Sequence, residues 1–461
     1  MVVHPDLNRT GYRVMHGTSE SFKNPSSQIV HRTEQTIKLR THSQAFLPTG
    51  ETVMADVHFI VMFLLPSFVY MHGVSTQDAR IVNHWKSVNY SWPNESVKQN
   101  YIMKKKFIVE NNIISGIKVL DGNVYVTVPR WRPGVPSTLN KVITDPTNTE
   151  ESILEPYPNW EMQTLGDCNA LQYAQSMEVY PNTGYMWIID VGRTDTQTDH
   201  PQNLCPAKLI IYDVRNDKLV HVHEFPDAVV PRTSNFLNDI VLDYVNGVAS
   251  FAYITDSAAA KLIVYDHERD VSYFFKHPSM EVEEGAESIL VGDNNLTMRV
   301  HINGIAMSYD FRFVYFCALN AYSLYRVPTN VLRNQPSTFS VETVGQRNDL
   351  TGGMVATDKA LYYGGLTKHA VNKWPFSQNS TEMLVISNDT SLRWVDSFAM
   401  DDQGNLWLVA NGLDLFLTGR MDFTKTNMYI WKIPVGENGY LSTAKLRTAA
   451  NIHGNGNMVI G

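Results

Sequence analysis

Along most of the chain apolar and polar residues alternate with a period of two, the pattern of strands with one buried face. From Asn112 onward the runs favour Val, Ile, Tyr and Phe and break at Asn, Asp and Gly, and no long amphipathic helix interrupts them. Asp239–Phe275 shows one complete unit: DIVLDYV, an Asn-Gly turn, VASFAYITD, a short polar loop, KLIVYD, a charged turn and VSYFF. Four such strands in succession make an antiparallel meander.

The unit recurs. IISGIKVLDGNVYVTVPRW opens the first copy, LQYAQSMEVYPNTGYMWIIDVG the second and Asp239 the third. INGIAMSYDFRFVYFCALN, GGMVATDKALYYGGLT and VDSFAMDDQGNLWLVANG open the last three. Four strands repeating every ~45–65 residues are the signature of a propeller blade. The expectation is an all-β fold, a six-bladed β-propeller of four-stranded antiparallel blades. The early segment ARIVNHWKSVNYSW is expected to pack on the last blade and help close the ring. A length of 461 residues would ordinarily suggest several domains, but closed all-β architectures exceed that rule as single units.

The first 75 residues read differently. Residues 1–53 lack periodicity and are rich in Ser, Thr, His and Arg, so they read as disordered or foreign to the mature protein. Residues 54–75 read as a signal peptide: an apolar core from Val57 to Met71, then the small residues Gly73 and Ser75, with Met54 as the functional start. The alternative is a buried apolar segment. The propeller is then assigned to residues 76–461, and the mature protein is expected to be secreted, with no membrane attachment after cleavage. Glycosylation sequons at Asn89, Asn94, Asn295, Asn379 and Asn388 agree with that compartment. Of three cysteines, Cys168 and Cys205 lie in loop-like sequence, whereas Cys317 lies in the apolar run FVYFCAL. A Cys168–Cys205 disulfide with a buried Cys317 thiol is expected.

Charge narrows the partners. A net charge of -8 argues against nucleic acid and against an anionic membrane surface. In a propeller, the loops after the second strands and before the first strands open on one face. Here they gather Asp190, Asn238, Asp239, Asp256, Asn303, Asn320, Asp396 and Asn411, with Arg130, Trp131, Tyr322 and Phe416 at the rim. Asn and Asp also favour turns for purely local reasons.

VPRWRPGVPSTL, PYPNW, GDC, WIIDVGR, CPAKLIIYDV and LWLVANG follow one another in the order and spacing of the yellow and major royal jelly protein family, which the chain resembles from about Trp85 to Val435. The resemblance implies a secreted six-bladed propeller. It also brings in pigmentation and cuticle proteins, dopachrome-converting proteins, storage proteins and amine-binding salivary proteins as functional precedents. Two positions depart from the family pattern: Gly412 stands where Arg often follows the LWLVAN run, and Ala207 where a second proline is usual.

A ring of Asp, Asn and aromatic groups suits a small aromatic amine or catechol-type ligand, through a carboxylate on the ammonium, amides on the hydroxyls and cation–π contact. Asp190, Asp256, Asn320, Asn411, Phe416 and Trp131 are the expected contacts. Dopachrome isomerisation is the enzymatic alternative: Arg130 or Arg193 would hold the substrate carboxylate, and His301 or His369 would act as base. A non-catalytic cuticle or storage role is the other alternative. No sequence motif indicates a cofactor or a metal site, although calcium occupies the channel of some other propellers and suits oxygen ligands.

Overall fold

The computed structural model describes residues 78–144, 152–245, 247–377 and 381–442. The extension assigned to 1–53, the signal peptide assigned to 54–75 and the sequon at Asn379 lie outside the described residues. The first described elements are β1 (Arg80–Trp85), whose partner strand comes last, and α1 (Glu95–Met103), where the Asn94 side chain accepts the Val97 N–H.

Blade one shows why the strands form where they do. β2 (Ile117–Leu120) and β3 (Asn123–Thr127) are joined by Asp121 and Gly122, both at positive φ. That geometry matches the twist of the strands, and Asp-Gly adopts it readily. β4 (Leu139–Thr144) and β5 (Ser152–Pro156) complete the sheet. Blade two is β6 (Ala174–Tyr180), β7 (Tyr185–Asp190), β8 (Lys208–Asp213) and β9 (Lys218–Glu224). Blade three is β10 (Leu237–Val245), β11 (Val248–Asp256), β12 (Lys261–Asp266) and β13 (Val271–Phe275), followed by an inserted hairpin, β14 (Ser288–Val291) and β15 (Asn294–Thr297).

β16 (Ile302–Met307), β17 (Phe313–Ala318), β18 (Ser323–Pro328) and β19 (Glu342–Gln346) form blade four, with α2 (Thr329–Asn334) between the last two. β20 (Met354–Ala356), β21 (Ala360–Gly365), β22 (Ala370–Pro375) and β23 (Met383–Ser387) form blade five. Blade six takes β24 (Trp394–Met400), β25 (Asn405–Asn411) and, after α3 (Leu413–Thr418), β26 (Met428–Pro434) from the end of the chain. Its outer strand is β1. The first strands β2, β6, β10, β16, β20 and β24 pack on one another in cyclic order, so six antiparallel four-stranded blades form the expected six-bladed propeller.

Closure rests on the segment singled out for it. β1 pairs antiparallel with β26, with Arg80 opposite Lys432 and Trp85 opposite Met428. Trp85 also donates its indole N–H to the Ser152 carbonyl of blade one at 2.7 Å, and Asn89 and Ser91 bond the backbone of Leu154. One short stretch therefore ties the last blade to the first.

At the axis the inner strands are irregular. Register shifts fall between Ala174 and Ser176, Leu237 and Ile240, Ile302 and Ile305, and Val395 and Ser397. Each is a bulge that gives its first strand one extra residue, and those in blades two, three and six turn polar side chains toward the channel. Thr127 spans one such site, its Oγ1 accepting the Gly116 N–H at 2.8 Å and donating to the Gln175 carbonyl of the next blade at 2.9 Å. Thr255 does the same between Asp239 and Asn303. Gly116 is required here, because a Cβ at that position would lie 2.6 Å from Thr127 Oγ1.

Cys168 and Cys205 form the expected disulfide, with Cα atoms 5.4 Å apart, and Cys317 is a buried free thiol. Closing a loop between residues 37 apart stabilises by about 3–4 kcal/mol in the chain-entropy account. Replacing both cysteines with serine should lower the urea-unfolding free energy by about that amount. Thiol titration of the native protein without reductant should detect no reactive group, and one after unfolding.

Candidate functional site

The bulges place their polar side chains on the propeller axis. Gln175, Ser176, Asn238, Asp239, Asp396 and Ser397, with Ser115, Gly116 and Gly352, enclose a space of about 20 Å³. That is room for one water molecule or one head group of similar size. Ser115 Oγ donates to Asp396 Oδ2 at 2.7 Å, and Asn411 Nδ2 donates to the same oxygen at 3.3 Å. Ser176 Oγ donates to Asp239 Oδ1 at 2.8 Å. The Tyr173 hydroxyl donates to Gln175 Oε1, and Gln175 Nε2 donates to Asn238 Oδ1.

Both carboxyls touch this space while lying deep in the ring, and burial pushes each up to about 6. Lys118 opposes the rise at Asp239. At Asp396 the charge of Asp239 adds to it. The channel waist therefore holds two carboxyls and one nearby ammonium.

One pleat further along the same strands, β2, β6 and β24 widen into a cavity of about 550 Å³ at the end opposite the loops. At its floor Lys118 Nζ meets Glu178 Oε2 at 3.2 Å and donates to the Phe398 carbonyl at 3.2 Å. The Tyr440 hydroxyl donates to Glu178 Oε2 at 2.9 Å. Val119, Val179, Val355, Met400 and Trp407 form its walls, and the turns carrying Asp121, Asp402 and Gln403 form its rim.

The loop end is built differently. The hairpin of β14 and β15 reaches from blade four to blade six, with Ile289, Val291 and Leu296 buried beneath it. Asn320 Nδ2 donates to the Ala286 carbonyl at its base. At its tip Asn294 Nδ2 donates to Asp414 Oδ2 at 3.1 Å, and Arg420 donates to Asn294 Oδ1 and Asp293 Oδ2. Arg393 holds Asp414 through two N–H groups, at 2.9 and 2.8 Å. Arg132 lies over the Phe416 ring, 4.1 Å from its centre, and donates to the Phe416 carbonyl.

The residues expected to contact ligand divide sharply. Asp190 is fully buried and accepts the N–H groups of Gln172, Tyr173 and Gly192. Asp256 accepts those of Phe236, Ala258 and Ala259, and burial raises its carboxyl. Asn320 accepts the Val300 N–H. Asn411 accepts the Leu413 N–H and donates to the Ile114 carbonyl, which joins blade six to blade one. Trp131 and Phe416 pack on each other, 6.1 Å between ring centres, and are buried. Of these six, Asn411 alone also bonds a side chain of the waist.

Arg130 uses all five of its N–H donors on carbonyl groups, those of Val135, Pro136, Gln163, Leu171 and Gln172. In this arrangement no donor is left for a substrate carboxylate. The PRWRPG stretch is thus an anchor between blades one and two. Arg193 bonds Asn203 Oδ1 and the Asn235 carbonyl, and His369 Nδ1 lies 3.0 Å from the Arg393 carbonyl. His301 Nδ1 accepts the Val282 N–H, and burial lowers its pKa. The arginines and histidines proposed for isomerisation are not gathered at the waist. Asp239 and Asp396 are, and so are Ser115, Gln175 and Ser176, with Tyr173 bonding Gln175 from outside the waist.

Among the described residues no helix is long and apolar enough to cross a membrane, and no group of three or more His, Cys, Asp or Glu is placed to hold a metal ion. The profile described as major royal jelly protein matches residues 181–439. Protein yellow of Drosophila yakuba is 26% identical over 377 residues, covering 76% of this chain and 68% of that protein, and the Drosophila melanogaster protein gives the same figures. A luciferin-regenerating enzyme is similar with a TM-score of 0.44 at 10% identity, covering 71% of this chain and 93% of that one. A virginiamycin B lyase from Staphylococcus aureus has a TM-score of 0.38 at 11% identity, with 65% and 78% covered. On the profile match and its yellow relatives, the chain belongs to the yellow and major royal jelly protein family.

Proposed function

We propose that this yellow-family propeller is a secreted protein that binds a small primary amine of the catechol or indole type at the channel waist, without transforming it. A role in pigmentation, cuticle or amine chemistry is the setting the family resemblance favours. The observation that carries the reading is the carboxyl pair Asp239 and Asp396, set deep in the ring yet half-exposed to the channel space, whose charge is offset by Lys118 on one side alone. Buried carboxylates need a proton or a cation, and a primary ammonium matches the roughly water-sized space between them. Binding is favoured over isomerisation because Arg130 has every donor engaged. Secretion would bring glycans to the exposed sequons Asn94, Asn295 and Asn388; Asn89 is half-buried and accepts the Trp92 indole N–H.

Calorimetric titration with dopamine and with serotonin at pH 7.5 is expected to give saturable heat with a Kd in the micromolar range, about -8 kcal/mol. Asp396→Asn should weaken binding at least tenfold, whereas dopachrome loss should proceed at the same rate with and without protein. Absence of heat at millimolar amine would sink the reading, and accelerated dopachrome loss would replace it with the enzymatic one.

The carboxyls also set a pH dependence. A carboxyl whose folded pKa is raised from 3.8 to about 6 contributes stability below its unfolded value that is lost as pH climbs through about 6. Asp396→Asn should therefore be more stable than the parent at pH 7.5, by about 1–3 kcal/mol, with the difference closing toward pH 4. Amine affinity should fall over the same window, as protonation removes the charge that attracts the ammonium.

A further inference from the structure

We infer that the amine is taken up from the end opposite the loops, and that the cavity beneath Lys118 and Glu178 holds the aromatic body of the ligand; this rests on the amine-binding reading above. The waist itself, at about 20 Å³, accepts a head group and no ring. The ring needs a space beside it, and the cavity of about 550 Å³ lies one pleat away on the same three strands. Ligand pockets of a few hundred Å³ pair apolar walls with a few placed polar groups; this one also carries Asp121, Asp402 and the Asp401–Lys432 pair toward its mouth. Val179, Met400 and Trp407 supply the walls, and the Lys118–Glu178 pair supplies the floor.

The two ends of the channel differ in what must move. From the cavity, the groups between ligand and carboxyls are the floor trio of Lys118, Glu178 and Tyr440, and the one that must swing aside is Lys118, a compact ammonium on a flexible stem held by Glu178 and the Phe398 carbonyl. A ligand ammonium arriving there replaces like with like. From the loop end, the hairpin would have to leave blade six. That means parting Arg393 from the Val291 carbonyl and from Asp293, and Asn294 from both Asp414 and Arg420, while exposing Ile289, Val291 and Leu296. Several charge-assisted bonds and an apolar face would have to open together.

The test attaches one bulky group at either end of the channel. Gln403→Cys puts a thiol on the cavity rim and Leu290→Cys puts one on the exposed side of the hairpin. Each is labelled selectively with a polyethylene glycol maleimide, since Cys317 is buried and the other two cysteines are paired. Dopamine titrations on the full chain, before and after labelling, give the answer. The adduct at position 403 should weaken dopamine binding at least tenfold, and the adduct at position 290 should leave it within twofold. A block at 290, or unchanged binding with both adducts, would overturn the inference while unlabelled protein still binds. No heat from the unlabelled protein would instead mean that the amine reading has failed.

Discussion

Six sheets meeting at one axis face a constraint that an ordinary sandwich avoids: their first strands converge where ladder partners run out, and the backbone N–H and C=O groups there still have to be bonded. Side chains meet that demand throughout this ring. Thr127 and Thr255 bond one strand of their own blade and a carbonyl of the next. Asp190, Asp256 and Asn320 fold the ends of second strands back onto the start of the first. Arg130 gathers five carbonyls at the junction of blades one and two. With the backbone satisfied in this way, polar residues at the bulges are left to line the waist, and the site follows from the architecture.

This division explains what could be read from the sequence. Asp121-Gly122 and the Asn246-Gly247 pair mark hairpins by local chemistry, and alternation marks the strands between them, so the blades and their number follow from short windows. The ring closure by Arg80–Trp85 and the pairing of Cys168 with Cys205 also follow from local context. Asp190 and Asp239 are a different matter. Asp190 ends a second strand and is consumed by three backbone N–H groups, whereas Asp239 lies at a first-strand bulge that turns it to the channel. A bulge shifts the two-residue period by one and flips the face of everything beside it, and its position depends on the neighbouring blade. The acidic pair at the waist was visible as composition and the Asp190 clasp was not.

Lys118 links the two ends of the polar axis. Its ammonium holds Glu178, which in turn accepts the hydroxyl of Tyr440 from the segment after the last strand, while its charge acts on Asp239. A change in any one of these groups is therefore felt by the others in the low dielectric of the channel. Additive effects are not expected for substitutions within this set.

The pairing of β1 with β26 has a mechanical consequence. Because Arg80 lies opposite Lys432, the outward-leading ends of the two strands sit side by side at one end of the ladder. A pulling force applied there would load the hydrogen bonds one after another, from Arg80 toward Trp85, like a zipper, where a shearing force would load them together. The segment after β26 adds a second tie, Glu437 to Lys373 and Tyr440 to Glu178, so a pull on that side would have to part it from blades five and two before the ladder itself is loaded.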